Sequence, residues 1–151
     1  PCIKGRDVIA QAQSGTGKTA TFVIAALQRI GDTTITPILT EVLVVTPTHE
    51  LATQTLQVFN EIGQYTGAKF LSLVGGIPIY RDLENLKEGV HVVVGTTGRV
   101  MHLVKKGSLD LSSVKMFILD EADQLLGRGF QDQIYELFKR MPTNIQVILI
   151  S

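Results

Sequence analysis

Short runs of apolar, mostly β-branched residues alternate along this chain with longer segments whose apolar positions recur every three or four residues. The short runs predict β-strands at residues 7–10, 41–46, 70–74, 91–95, 115–120 and 146–150. The helical spacing between them predicts α-helices at residues 18–30, 49–65, 79–88, 98–106 and 130–140. The segment 31–40 carries Pro37 and several threonines, and it is predicted to be a loop.

Strands that are apolar on both faces are typical of a buried parallel sheet. Their alternation with helices predicts an α/β fold, with a mainly parallel sheet that is covered by helices on both faces. Ligands of such folds bind beyond the carboxyl ends of the strands. The residues that directly follow each strand are therefore the candidates for a functional site.

Composition narrows the class of protein. The 151 residues favour one domain, and 44% apolar with 19% charged residues favours a folded globular one. A net charge of zero argues against attraction of nucleic acid to the whole surface, but it is compatible with a local strip of the surface that binds phosphates. The single cysteine, Cys2, excludes an internal disulfide and fits a reducing compartment. No apolar run approaches the roughly 18 residues that a membrane span needs, so no membrane association is expected.

A small-residue loop follows the first predicted strand. Its segment matches the phosphate-loop pattern G-x-x-x-x-G-K-[ST] except at its first position, and it consists of Ala12, Gln13, Ser14, Gly15, Thr16, Gly17, Lys18 and Thr19. In this pattern the glycines let the backbone approach a phosphate, while the lysine reaches the outer phosphates and the threonine hydroxyl binds Mg²⁺. Alanine in place of the first glycine requires an ordinary negative φ there. The alternative is a glycine-rich turn between strand and helix that binds nothing.

Two carboxylates end the fifth predicted strand. Asp120 is placed to hold Mg²⁺, and Glu121 is placed to orient or deprotonate a water that attacks the γ-phosphate. Taken alone, such a pair is more often the acidic start of a helix, where it interacts favourably with the helix dipole. Together with the phosphate loop it favours nucleotide hydrolysis.

The segment Asp120-Glu121-Ala122-Asp123 spells D-E-A-D, and with the phosphate loop it resembles the DEAD-box RNA helicases. Further segments match the family's motifs in order: P-T-H-E-L-A at residues 47–52 resembles P-T-R-E-L-A, Gly75-Gly76 resembles the paired glycines, and T-T-G-R at residues 96–99 resembles T-P-G-R. Ser151 stands where the family's S-A-T begins. Residues 3–22 and 132–138 further resemble the family's initiation-factor-4A group, which links the chain to translation initiation.

The resemblance implies that residues 1–151 are the first RecA-like, P-loop NTPase domain of an ATP-dependent RNA helicase of the cytoplasm or nucleus. It implies ATP and Mg²⁺ as ligands, with Lys18, Asp120 and Glu121 in catalysis and Thr19 and Asp120 at the metal. Asp123 and Ser151 would couple nucleotide state to RNA. The RNA-binding residues would be Pro47, Thr48, His49, Gly75, Gly76, Thr96, Thr97, Gly98 and Arg99.

The resemblance also implies parts beyond this chain. The family carries an upstream glutamine-containing motif for adenine, and a second RecA-like domain that supplies an arginine finger and half of the RNA clamp. Because the chain starts without Met and ends on an apolar run, both ends are expected to continue in a longer protein. Single-stranded RNA and a translation-initiation scaffold protein are the expected partners.

Physical chemistry gives modest support, independent of the resemblance, to these RNA-binding residues, which are here called the RNA track. Thr48 and Thr96 each stand where a predicted strand gives way to a helix, which is the position of an N-cap. Free N–H groups at a helix N-terminus bind phosphate, and such backbone contacts carry no base information. The alternative is two ordinary capped helices and one tight turn.

Two residues of this track depart from the family pattern. His49 replaces an arginine, which removes a permanent charge and a forked donor. Thr97 replaces a proline, which removes a fixed φ in the first helical turn. Both departures affect the expected RNA affinity more than the hydrolysis chemistry.

Two other functions remain open at this point. A nucleotide-switched module would clamp RNA or a scaffold protein without unwinding, and an unwinding assay separates it from a helicase. An unrelated phosphate-loop enzyme, such as a small-molecule kinase, would transfer phosphate to an acceptor instead of showing RNA-stimulated phosphate release.

Overall fold

The computed structural model describes residues 7–10, 16–127 and 129–151. Within these residues, six strands form one sheet: β1 (Val8–Ala10), β2 (Val42–Thr46), β3 (Phe70–Leu73), β4 (Val92–Thr96), β5 (Met116–Asp120) and β6 (Gln146–Ile150). The helices are α1 (Thr16–Arg29), α2 (His49–Gly63), α3 (Ile79–Glu88), α4 (Thr97–Lys105), α5 (Ala122–Gly127) and α6 (Gln131–Lys139). The segment 31–40 contains no helix or strand, as the sequence predicts.

The strands lie in the order β1-β6-β5-β2-β4-β3, and every neighbouring pair is parallel. The predicted α/β fold with a parallel sheet is therefore confirmed. Because all strands run the same way, their carboxyl ends meet at one edge of the sheet, which is called the carboxyl edge below.

Helices cover both faces of the sheet, as predicted. Alternate residues of each strand face opposite sides, so that in β2 Leu43 and Val45 pack in one core cluster while Val42 and Val44 pack in the other. Helices α1 and α2 cover the second cluster, and α3, α4, α5 and α6 cover the first. The two layers fix where each strand ends, and hence where the loops of the carboxyl edge lie.

Helix α5 is absent from the elements that periodicity predicts. It has six residues, Ala122–Gly127, which is less than two turns and too short to show a repeating apolar face. None of the helices in the described part of the chain combines the length and apolarity that crossing a membrane requires.

Candidate functional site

The strand order divides the carboxyl edge into two halves. One half holds the ends of β1, β6 and β5, and the other holds the ends of β2, β4 and β3. The expected phosphate loop and the two carboxylates follow strands of the first half, while the expected RNA segments follow strands of the second. The expected nucleotide-binding motifs and the expected RNA-binding motifs thus lie on adjacent parts of one edge.

Lys18 and Glu121 meet in the first half although 103 positions separate them in the sequence. The Lys18 Nζ atom lies 3.4 Å from Glu121 Oε1, and the Lys18 side chain is only 11% exposed. This ion pair brings the expected phosphate-binding cation and the expected catalytic carboxylate to one point. An anionic ligand that binds Lys18 competes with Glu121 for the ammonium group and releases the carboxylate.

Asp120 lies beside this pair as the last residue of β5, and it is 3% exposed. Burial raises the pKa of Asp120, the Lys18 ammonium opposes that rise, and the Glu121 carboxylate adds to it. Its Oδ1 atom accepts a hydrogen bond of 3.0 Å from the Glu121 backbone N–H. A buried carboxylate whose ionised form is disfavoured is well suited to a divalent cation, which would neutralise it.

Glu121 itself has a φ of 53°, in the left-handed region that residues with a Cβ rarely adopt. The strained residue forms the sharp turn from β5 into α5. It turns the Glu121 side chain toward Lys18 while Asp120 remains buried in the sheet. Backbone strain of this kind is concentrated at functional sites.

The donor atoms fit Mg²⁺. This cation prefers oxygen ligands and is usually held by one or two protein side chains together with substrate phosphates and water. Asp120 and the half-buried Thr19 supply a carboxylate and a hydroxyl of this kind. The described residues contain no cluster of three or more metal-ligating His, Cys, Asp or Glu side chains, and a phosphate-bound Mg²⁺ needs none.

The remaining residues of the expected phosphate loop are only partly described. Ala12, Gln13, Ser14 and Gly15 lie outside the described residues. Thr16 is the first residue of α1, and Gly17 follows within its first turn. The helix therefore begins inside the motif, as phosphate binding at a helix N-terminus requires.

Ser151 and Asp123 flank the carboxylates. Ile150 is in register with Ala10 on one side and with Asp120 on the other, so Ser151 leaves the sheet between the end of β1 and Asp120. Asp123 is exposed in the first turn of α5. Both positions lie in the first half of the carboxyl edge, and their role in coupling nucleotide state to RNA stays a prediction.

In the second half, four of the nine expected RNA residues line a cleft of about 430 Å³, here called the α4 cleft. Its lining consists of Gly75, Ile79, Thr96, Gly98, Arg99 and His102. Four of the six come from the motifs that the sequence singled out. Ile79 and His102 do not, and no motif pointed to either.

Glycine is required at Gly76, which directly follows Gly75 of this cleft. Gly76 has a φ of +85°, which strains any residue with a Cβ, and a Cβ there or at Gly75 would meet nothing within 4 Å. The paired glycines thus make an open turn after β3. That turn leaves the backbone accessible to a ligand.

Arg99 is held from inside the protein. Its Nη1 atom donates to Asp82 Oδ2 at 2.6 Å, and its Nη2 atom donates to the Ile77 carbonyl oxygen at 2.9 Å. The Asp82 side chain is 4% exposed and that of Arg99 is 14% exposed. Sequence reasoning missed Asp82 because a single acid on an amphipathic helix carries no signal of its own. The ion pair ties α3 and the turn after β3 to the start of α4.

The other expected RNA residues differ in exposure. Thr48 caps α2, since its side chain accepts a hydrogen bond from the Leu51 backbone N–H, and His49 is exposed in the first turn. Pro47 is half-buried between β2 and this cap. Thr97 is 3% exposed, so its side chain packs inside while its backbone opens α4. Its RNA contact stays a prediction for the backbone alone.

A comparison with known protein families decides the class. The family model described as DEAD/DEAH box helicase matches residues 1–151. The chain belongs to the DEAD/DEAH box helicases. Its paired carboxylates, its Lys18–Glu121 contact and its α4 cleft are thus features of a helicase domain.

Curated relatives place this helicase chain near one group. It is 50% identical to "Eukaryotic initiation factor 4A" of Caenorhabditis elegans and 50% identical to the protein of the same name in Drosophila melanogaster. It is 49% identical to "Eukaryotic initiation factor 4A-3" of Arabidopsis thaliana. Each match covers 100% of this chain, but the chain spans only 36–37% of the length of those relatives.

Solved helicase structures agree with this fold. Dbp5 of S. cerevisiae bound to RNA and ADP BeF3 matches with a TM-score of 0.84 and 34% identity. The match covers 97% of this chain and 36% of that one. A Dbp5 variant bound to a Gle1 variant and IP6 matches equally well. The RecA-like helicase fold that the sequence predicts is therefore confirmed.

Prediction on Asp120 and stability. In the absence of nucleotide and Mg²⁺, we expect Asp120→Asn to raise the melting temperature of this helicase domain at pH 7. Burial raises the pKa of Asp120 in the folded state, so folding at neutral pH must bury an ionised carboxylate that the unfolded chain leaves in water. The gain should shrink as the pH falls through the raised folded pKa, and it should vanish below the ordinary value of 3.8. Calorimetric melting across pH measures this.

The control for this experiment is Asp123→Asn. Asp123 is exposed only three residues further along, so its neutralisation removes no buried charge. A melting temperature of Asp120→Asn at or below that of the unsubstituted protein at pH 7 would show that burial does not penalise the Asp120 carboxylate.

Proposed function

We propose that this chain is the ATP-binding and ATP-hydrolysing domain of a DEAD-box RNA helicase that remodels or unwinds RNA, including in translation initiation. The observation that carries the proposal is the convergence of Lys18, Asp120 and Glu121 in one half of the carboxyl edge. The α4 cleft in the other half supplies a separate place for RNA. Mg²⁺, bound with the nucleotide, would neutralise phosphate charge and polarise the γ-phosphate.

Different residues of the chain bind the phosphates, hold the metal, activate the attacking water and couple the site to RNA. The Lys18 ammonium, which lies 3.4 Å from a carboxylate oxygen of Glu121, leaves Glu121 and binds the outer phosphates of ATP. Asp120 and Thr19 would hold the Mg²⁺ ion that is bound with the nucleotide. The released Glu121 carboxylate orients the attacking water and accepts its proton. Asp123 and Ser151, on either side of these carboxylates, transmit the nucleotide state to the RNA half.

RNA recognition would use contacts between backbone N–H groups of the protein and phosphates of the RNA more than contacts to bases. The amino ends of α2 and α4 and the open turn at Gly75 and Gly76 present N–H groups to phosphates. Such contacts are tolerant of sequence. We therefore propose single-stranded RNA without strong base preference as the substrate.

Further partners lie outside this chain. Relatives that are nearly three times as long, together with the family resemblance, support a second RecA-like domain that closes on RNA and supplies an arginine finger. A structure of Dbp5 with Gle1 supports a scaffold protein as a partner. We propose a cytoplasmic location, with a nuclear one as the second choice. An unwinding assay on the two-domain protein separates this function from a clamp that only binds.

Prediction on Lys18 and ATP. We expect Lys18→Ala to weaken binding of ATP with Mg²⁺ by about 10- to 150-fold, because charge-assisted hydrogen bonds are worth about 1.5–3 kcal/mol. Isothermal calorimetry on matched proteins gives the two dissociation constants. Lys87→Ala is the control, since Lys87 is also a helical lysine but is exposed in the last turn of α3, away from the carboxylates. Equal ATP affinity in Lys18→Ala and the unsubstituted protein would remove the phosphate-loop assignment.

Prediction on His49 and RNA. Arginine is always charged and carries five N–H donors in a fork, whereas a neutral imidazole carries one. His49 is exposed in the first turn of α2, beside the proposed RNA path. We expect His49→Arg to tighten RNA binding by up to about 150-fold, the upper range for a charge-assisted hydrogen bond. It should steepen the log–log salt dependence by up to about 0.7, which corresponds to one single-strand phosphate.

The control for His49→Arg adds the same charge elsewhere. Gln64→Arg places it at the exposed carboxyl end of the same helix, about 22 Å away at 1.5 Å per residue. Fluorescence anisotropy with labelled RNA at several salt concentrations compares the two. If both arginines shift affinity and salt slope alike, His49 does not contact a phosphate.

A further inference from the structure

The α4 cleft contains a side chain that no motif assigns. Of its six lining residues, Arg99 and His102 carry ionisable groups. Assigning a role in RNA binding to each of these two side chains rests on the proposed function, because it specifies how the proposed RNA site holds its ligand.

Arg99 is committed to the protein. Two of its five N–H donors are used, one on each terminal nitrogen, by the Asp82 carboxylate at 2.6 Å and by the Ile77 carbonyl oxygen at 2.9 Å. The carboxylate is almost fully buried, so release of the guanidinium would leave an unpaired charge inside the protein. Arg99 is therefore fixed in place, and the Asp82 carboxylate offsets its charge.

His102 is free to act. It lies one helical turn after Arg99 on α4, on the same side of the helix, and its side chain is exposed at the cleft. Its backbone carbonyl accepts the Lys106 N–H at the end of the helix, and its ring makes no hydrogen bond or ion pair with another described residue. An imidazole donates a hydrogen bond through a ring N–H in either its neutral or its charged form.

The walls of the cleft suit a phosphate group. Gly75 and Gly98 leave open space where a Cβ would stand. The N-cap Thr96 makes no side-chain capping bond, so it does not occupy the N–H groups of the first turn of α4. These groups and the His102 ring converge on the same cleft. A backbone phosphate of RNA matches this arrangement of donors.

We propose that His102 is the side chain of the α4 cleft that donates a hydrogen bond to an RNA phosphate, while Asp82 acts as a positioning residue that holds Arg99 and shapes the cleft. Asp82 touches no ligand in this assignment. It acts by fixing α3 and the glycine turn against the start of α4.

The test of His102 uses the two-domain protein and labelled single-stranded RNA. His102→Ala should weaken RNA binding about 2- to 12-fold, which is the loss of one ordinary hydrogen bond. His102→Phe should lose as much, because it keeps the ring and removes the donor. His102→Arg should tighten binding and steepen the salt slope by up to about 0.7. Gln64→Arg, at the far end of α2, should change neither quantity.

The test of Asp82 distinguishes positioning from contact. In Asp82→Asn we expect the RNA concentration for half-maximal ATPase stimulation to rise, with little change in turnover at saturating RNA. If Arg99 is instead the phosphate ligand, its release from Asp82 would tighten RNA binding and steepen the salt slope, which overturns the assignment. A melting curve checks that the variant is folded, and the exposed His102 variants test the proposal if it is not.

The outcomes separate this inference from the proposed function. An unsubstituted protein that binds no RNA and shows no RNA-stimulated ATPase would refute the proposed function. An unsubstituted protein that binds RNA, with His102→Ala and His102→Arg indistinguishable from it, would refute the role of His102 alone. Retained affinity in His102→Phe would show that the ring stacks on a base and does not donate to a phosphate.

Discussion

Glu121→Gln is expected to lower RNA-stimulated ATP hydrolysis by about 10²- to 10⁴-fold, the usual contribution of a general base. Glutamine keeps the shape of the side chain but cannot accept the proton of the attacking water. The substitution also removes the carboxylate that lies 3.4 Å from Lys18 Nζ. Binding of ATP should therefore be retained or slightly tightened, because the ammonium group loses an internal competitor.

This combination of retained binding and lost turnover is what identifies the role of Glu121. Phosphate release and calorimetric ATP affinity, measured on the same two-domain protein, supply the two quantities. The control is Glu136→Gln, which neutralises an exposed glutamate of α6 that pairs with Lys139. Turnover of Glu121→Gln within a few-fold of the unsubstituted protein would move the general base elsewhere.

The fold was largely predictable because its determinants are local. Runs such as residues 147–150 are apolar and mostly β-branched, and burial in a strand is the arrangement that satisfies them. The order of the strands was not predictable in this way, because β6 enters between β1 and β5 through pairing of residues distant in sequence. Helix α5 was missed since its six residues are too few for a periodic pattern.

The two halves of the site differed in how much of them could be predicted. The meeting of Lys18 and Glu121 follows from a general rule, because both residues come after strands whose carboxyl ends share one edge. The Asp82–Arg99 pair follows from no such rule. It depends on the angle at which α3 packs beside α4, which only the assembled core fixes. The burial of the Thr97 side chain has the same origin.

The proposed ATP site in the first half of the carboxyl edge raises the question of which group stabilises the transferring phosphoryl group. Lys18, Asp120 and Glu121 supply a cation, a metal ligand and a base, but stabilisation of the transferring phosphoryl group commonly needs an arginine as well. Arg99 is bound to Asp82 in the other half of the carboxyl edge and cannot serve. We propose that the arginine comes from a second RecA-like domain of the same protein.

Residues 1–151 alone are therefore expected to hydrolyse ATP about 10³- to 10⁵-fold more slowly than the two-domain protein at saturating RNA, and to unwind no duplex. Retained ATP binding in the isolated chain, weakened by Lys18→Ala as predicted above, would show that the slow rate is not caused by unfolding. Addition of the second domain as a separate protein should restore part of the rate, and the restored rate should disappear with Lys18→Ala. Rapid RNA-stimulated hydrolysis by residues 1–151 alone would mean that this domain completes its own catalytic site. The stabilising charge would then have to come from a group of this chain other than the Arg99 that Asp82 holds.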